Sequence, residues 1–264
     1  MSIFQSGFVR FAAALVATTL SAVCVHAEIL NIQGAAGNTI PVYWEKVEGA
    51  TATVILLSGG DGEVRFRGSE SKPRGNNFLI RSYDLFLNHK VNVALMGTNI
   101  PLTFEERAKD SHLADLATIA NTARGLSPVP VWLVGTSRGT VSAALAAIKY
   151  SDKKVFDGVV LTSALVSWKK PYAIGRQNIE KITMPVLVYM HEDDACEWCQ
   201  FHEAKGLIGK FKNAPVQAFM GVRGGTPEGN PCHASHNHGF MGMEEKAVSD
   251  VVGWATWVVV VRAC

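Results

Sequence analysis

The stretch VWLVGTSRGTVSAALAA, Val131 to Ala147, runs four apolar residues into Gly135-Thr136-Ser137-Arg138-Gly139 and then into a small-residue helical pattern. An unbroken apolar run ending at glycine reads as a strand buried on both faces, and the segment after it as a helix packing back onto the sheet. Ser137 falls at the sharpest point between them, with a glycine two residues away on each side. A strand-to-helix turn this tight strains its central residue and presses the flanking positions against neighbouring backbone, where glycine fits. It also lifts the serine hydroxyl clear of the chain. Serine is a weak nucleophile unless it is presented in this way beside a base. The amides that follow, Arg138 first, open a helix N-terminus, where developing negative charge is favoured.

The same alternation extends along the chain. Strand-like runs occur at Ile40 to Val47, Thr51 to Leu57, Val91 to Met96, Val129 to Val134, Gly158 to Leu161, Pro185 to Met190 and Val216 to Met220. Helical patterns lie at about 77–89, from Thr103 onward, and at about 138–150, 198–210 and 243–261. The second of these carries a capping box, Thr103 with Glu106, and an apolar face of Leu113, Leu116, Ile119, Ala120 and Ala123. Strands alternating with helices predict a mostly parallel, doubly wound α/β sheet with helices on both faces and ligands at the strands' carboxyl ends. At 264 residues the chain suits one domain, expected over 28–264.

The order of these elements and motifs resembles the α/β-hydrolase superfamily over most of the sequence. In that family the nucleophile is followed by an acid after a later strand and a histidine near the last helix. Here the strand PVLVYM ends at Met190, and His191-Glu192-Asp193-Asp194 follows it. The family's His-Gly-x-x-Asp pattern, laid on Met190 to Asp194, selects Asp194 over Asp193, although the His-Gly pair itself is absent. His238-Gly239-Phe240 precedes the last helical pattern and resembles the family's histidine loop, which favours His238 over His236 and His233. The resemblance also implies an oxyanion hole made by the Arg138 amide and one from the glycine-rich loop Ser58-Gly59-Gly60-Asp61-Gly62, with Gly60 favoured and Asp61 next. It implies a serine hydrolase of the esterase or dienelactone-hydrolase type, needing no cofactor. Only about 20 residues separate the strands near Leu161 and Pro185, leaving little room for a helical cap, and Trp168 to Tyr172 are candidates to line an open site.

Composition narrows the partners. A formal charge of +2 without a Lys/Arg block gives no footprint for nucleic acid or an anionic membrane, so a small neutral partner is expected, and the resemblance implies a small-molecule or exposed acyl substrate. The N-terminus carries Arg10, an apolar run from Phe11 to Val25 and Val25-His26-Ala27, the pattern of a secretory signal cut after Ala27. The apolar run is shorter than the roughly 20 residues of a spanning helix, and Val23 before Cys24 is too large for a lipid-attachment site. The expected compartment is therefore periplasmic or secreted.

Cleavage would leave Cys196, Cys199, Cys232 and Cys264, which an oxidising compartment can pair. If Asp194 and His238 meet, the loops bearing them approach, which makes Cys196–Cys232 the expected disulfide and Cys196–Cys199 its rival; Cys199 and Cys264 are then left over. Two other readings compete with the hydrolase. One is a zinc site using Cys196, Cys199, Cys232 and His233, disfavoured by the adjacent Cys-His pair. The other is a non-catalytic binding protein on the same fold.

Overall fold

The computed structural model describes residues 26–64, 66, 72–98 and 100–263. The expected leader falls almost wholly outside these residues, as do Cys24 and Cys264. Eight strands form one sheet: β1 (His26–Gln33), β2 (Thr39–Lys46), β3 (Ala52–Leu57), β4 (Val91–Met96), β5 (Val131–Thr136), β6 (Gly158–Thr162), β7 (Val186–His191) and β8 (Gln217–Val222). Their order is β1-β2-β4-β3-β5-β6-β7-β8. The β1–β2 and β2–β4 pairs are antiparallel, and every pair from β4 to β8 is parallel.

Alternation along the central strands builds two apolar layers. In β5, Val131 and Leu133 pack with Leu116 and Ile119 of α4 (Asp110–Leu126) and with the alanines of α5 (Gly139–Lys149). Trp132 and Val134 face the opposite way, toward Trp254 and Val258 of α7 (Glu244–Ala263) and toward α1 (Phe78–Arg81) and α2 (Tyr83–Asn88). Burial on both faces is what the unbroken apolar run required, and it confirms the doubly wound sheet.

Three local features differ from the sequence reading. The strand β1 was not foreseen, being an edge strand beside the expected leader. The helix expected over 77–89 is two, α1 and α2, parted at the buried Ser82. The helix expected from Thr103 is also two: α3 (Phe104–Ala108) and α4, separated by Lys109, whose ψ of 140° is extended. Only half of the predicted capping box forms. The Thr103 hydroxyl accepts from the Glu106 amide at 3.2 Å, while the Glu106 carboxylate pairs with Lys109 instead. Between β6 and β7, residues 163–185 make only short turns, with no cap helix. No helix among the described residues is long and apolar enough to cross a membrane.

Candidate active site

Four loops meet at the carboxyl ends of β3, β5, β7 and β8. At the end of β5, Ser137 has φ +52°, the left-handed region that L-residues seldom occupy. The strain is held from three sides. The Ser137 amide donates to the Thr162 carbonyl of β6 at 3.1 Å, and its carbonyl accepts from the Thr140 amide at 3.0 Å and hydroxyl at 2.6 Å. Glycine is required on either side: a Cβ at Gly135 would lie 2.6 Å from the Gly139 carbonyl oxygen, and one at Gly139 would lie 2.0 Å from that of Leu57. The elbow read from the sequence is thus present, with its serine half-buried at a cleft.

The loop after β7 carries the carboxylates. Asp194 is buried, and its two oxygens have separate partners: Oδ1 accepts from the Cys196 amide at 2.9 Å, and Oδ2 is 2.9 Å from His238 Nδ1. Asp193 is exposed, and its backbone holds the loop by donating to His191 Nδ1 and accepting from the Asn237 side chain. The structure therefore couples Asp194, not its neighbour, to the histidine.

His238 itself is buried, with its carbonyl accepting from Ser163 Oγ at 2.7 Å. The next carbonyl, of Gly239, accepts from the Arg81 guanidinium, which also reaches Glu244 at 2.8 Å and so ties the histidine loop to the start of α7. His233 is exposed; His236 is half-buried, with Nδ1 unpartnered among the described residues.

Ser137 and His238 line the same cleft, of about 440 Å³, together with Gly59, Gly60 and Asp61 of the loop after β3. Among the described residues no hydrogen bond joins the Ser137 hydroxyl to His238. The hydroxyl lies instead within interaction range of the Cys199 thiol. Cys199 is fully buried, and burial, followed by the Asp194 charge, pushes its pKa well up, against the smaller opposite effect of Ser137. It stays a thiol at neutral pH and does not compete as a nucleophile. Catalytic hydrogen bonds commonly close only when substrate is bound.

The loop amides are available. Neither Gly60 N–H nor Arg138 N–H has a backbone acceptor among the described residues. Gly59 lets the loop lie directly over the elbow, since a Cβ there would approach the Ser137 Cβ to 2.9 Å. The Arg138 side chain turns away to pair with Asp61 at 2.7 Å.

The cysteines pair as expected, Cys196 with Cys232, bridging the acid and histidine loops across 36 residues. Cys199 is left as a free, buried thiol. Sulfurs of Cys196 and Cys199 and a ring nitrogen of His238 lie within 4.8 Å of one another. The disulfide occupies two of the four donors that the competing zinc reading needs, and the exposed His233 stands outside this group. The segment Trp168 to Tyr172 is not among the residues lining the cleft; Lys170 packs over the Trp198 ring, and Trp168 lies exposed beside Lys210. The open wall is formed instead by Asn76, Asn77, Phe78 and the 232–235 loop.

This architecture recurs in solved structures of very different sequence. The Pyrococcus furiosus esterase Pf2001 matches with a TM-score of 0.60 at 15% identity, over 87% of this chain and 91% of that one. A brefeldin A esterase, described as a bacterial homologue of human hormone-sensitive lipase, matches with 0.58 at 14% identity, over 92% and 80%. The fold is that of the α/β-hydrolases. A puromycin-hydrolysing peptidase of Mycobacterium tuberculosis matches with 0.56 at 15% identity, over 90% of this chain but 40% of the longer one. No protein-family model and no curated protein matches the sequence. Because α/β-hydrolase folds host many activities, the chemistry rests on the site.

Proposed function

We propose that the protein is a serine hydrolase that cleaves an ester or related acyl bond through an acyl-Ser137 intermediate. The observation that carries this reading is the buried Asp194–His238 hydrogen bond opening onto the same cleft as a serine held at φ +52°. With its Nδ1–H given to Asp194, the imidazole keeps Nε2 free to accept a proton. As Ser137 Oγ attacks the acyl carbon, His238 takes the hydroxyl proton, and the carbonyl π electrons move onto oxygen. The amides of Arg138 and Gly60 bind that oxyanion. Collapse breaks the bond to the leaving group, which departs with the proton from His238, and water then releases the acid by the reverse steps. Asp194 orients the ring and stabilises its charged form. No cofactor takes part.

The cleft wall supports a compact acyl substrate. Asp61, Glu63, Asn76, Asn77, His233 and Ser235 line it, together with Phe78, Ala234 and the half-cystine Cys232. The leader pattern and the disulfide together support export to an oxidising compartment.

The test is labelling with a fluorophosphonate, mapped to Ser137, followed by a chromogenic ester series. Acetyl to butyryl esters are expected to be turned over fastest, with kcat/KM falling by about tenfold or more at octanoyl, as crowding of a long chain in a compact cleft requires. Absence of labelling would favour the non-catalytic binding protein, and a long-chain optimum would overturn the compact substrate.

The disulfide gives a second expectation. Closing a loop of 36 residues constrains the unfolded chain by about 4 kcal/mol in the entropic model. The double variant Cys196→Ala/Cys232→Ala should therefore melt roughly 10 °C lower, and its turnover should fall because the acid and histidine loops lose their covalent link. A melting temperature unchanged in differential scanning calorimetry would show that the crosslink constrains little.

A further inference from the structure

The loop after β3 has an unusual property: all four carbonyls of residues 58–61 are engaged, two of them by one buried guanidinium. Those of Ser58 and Gly60 accept from Arg107 Nη2 at 3.1 and 3.2 Å, that of Gly59 accepts from the Gly62 amide at 3.0 Å, and that of Asp61 accepts from the Leu102 amide at 2.7 Å. In a trans peptide the N–H points opposite to the C=O of its own unit. The amides of Gly59 and Asp61, which share peptide units with the two carbonyls that Arg107 holds, are thereby turned away from Arg107, and residues 59–61 line the cleft. Arg107 grips the 58–59 and 60–61 units, the two that flank the unit carrying the Gly60 amide.

Arg107 lies in the last turn of the short α3 and is 1% exposed, among the largest fully buried side chains of the described residues. Its Nη1 donates to Ser142 Oγ of α5 at 3.1 Å, and Ser142 is also 2.9 Å from His112 Nε2. Burial, followed by the charge of Arg107, lowers the His112 pKa to about 4, so His112 is neutral at pH 7 and Ser142 can donate to it while accepting from Arg107. Every acceptor of the guanidinium is thus an uncharged oxygen. No carboxylate pairs with Arg107 among the described residues, and its Nε has no partner. Burial and then Arg138 lower its own pKa to about 10, so it remains a cation at neutral pH. A buried cation that no carboxylate pairs with among the described residues is costly, with only the charge of the more distant Asp61 acting the other way. It is favourable behind a loop where an anion forms during reaction.

We propose that Arg107 is the positioning residue of the oxyanion-binding loop. It holds the carbonyls of Ser58 and Gly60 inward so that the amides sharing their peptide units face the cleft, and it sets a buried positive charge behind them. The proposal rests on the acyl-Ser137 reading.

The test compares wild type with Arg107→Met, which removes charge and donors, and Arg107→Lys, which keeps the charge but not the two-carbonyl grip. Active sites are counted by end-point fluorophosphonate titration, so that loss of folded protein is separated from loss of rate. Per titrated site, Arg107→Met should lower kcat by about 10²-fold, and Arg107→Lys by about tenfold, with KM within about threefold. Affinity for a trifluoromethyl ketone, which adds to the serine as a tetrahedral oxyanion, should weaken in step with kcat/KM. Titrated sites that keep kcat within about threefold of wild type overturn the proposal, and where Arg107→Met does not fold the same criterion is applied to Arg107→Lys. Wild-type protein that does not label at Ser137 fails the underlying reading, and the assignment of Arg107 falls with it.

Discussion

Ser137→Ala should abolish fluorophosphonate labelling and lower ester turnover by at least about 10³-fold, because nucleophile, base and acid act as a unit and the loss of one removes the pathway. The protein should stay folded. Alanine has the same Cβ at the same strained position, where φ is +52°. The contacts that hold the elbow are backbone bonds to Thr162 and Thr140 and glycine packing at Gly135 and Gly139, none of which uses the serine hydroxyl. Removing a polar group from beside the buried Cys199 costs little. The oxyanion amides remain, so turnover about 10³- to 10⁴-fold above the uncatalysed rate is expected to persist. The measurement is kcat/KM on a short-chain ester, with calorimetry to verify folding. Labelling retained at another residue in the variant would remove Ser137 from the nucleophile role.

Much of this site is legible in the sequence because its parts obey strong local rules. A buried parallel strand must be apolar throughout, and a nucleophile turn this tight needs glycine at 135 and 139, so β5, the elbow and α5 can be read from residues 131–147 alone. The disulfide follows from a long-range inference: if Asp194 and His238 share a site, the cysteines beside them are brought together.

What escaped the sequence depends on tertiary contact. Arg107 sits in a pattern that reads as an amphipathic helix with a solvated charge, and nothing local marks it as buried. Only the break at Lys109, itself without a proline or glycine signal, lets α3 lie under the loop of residues 58–62. Arg81 is similar: its role as an anchor of the histidine loop rests on partners 158 and 163 residues away. The cleft wall also could not be assigned from chain order, since Asn76, Asn77 and the 232–235 loop form it, not the aromatic segment near Trp168.

Asp194→Asn is expected to lower kcat/KM by about 10³- to 10⁴-fold, while Asp193→Asn stays within about threefold of wild type. The asymmetry comes from the Cys196 amide. That N–H donates to Asp194 Oδ1 at 2.9 Å, so the asparagine must place its carbonyl oxygen there. Its NH₂ then occupies the position of Oδ2, 2.9 Å from His238 Nδ1. Two donors cannot share that bond, so Nδ1 must give up its proton and accept, and the ring's one proton moves to Nε2. An imidazole in that tautomer cannot take the proton of Ser137, however well the ring is placed. Asp193 has no such leverage, because its side chain is exposed and its links to His191 and Asn237 are through backbone atoms that asparagine keeps. Both variants should fold and bind substrate, so the loss should appear in kcat per titrated site and not in KM. The opposite ranking of the two variants would place the acid at Asp193.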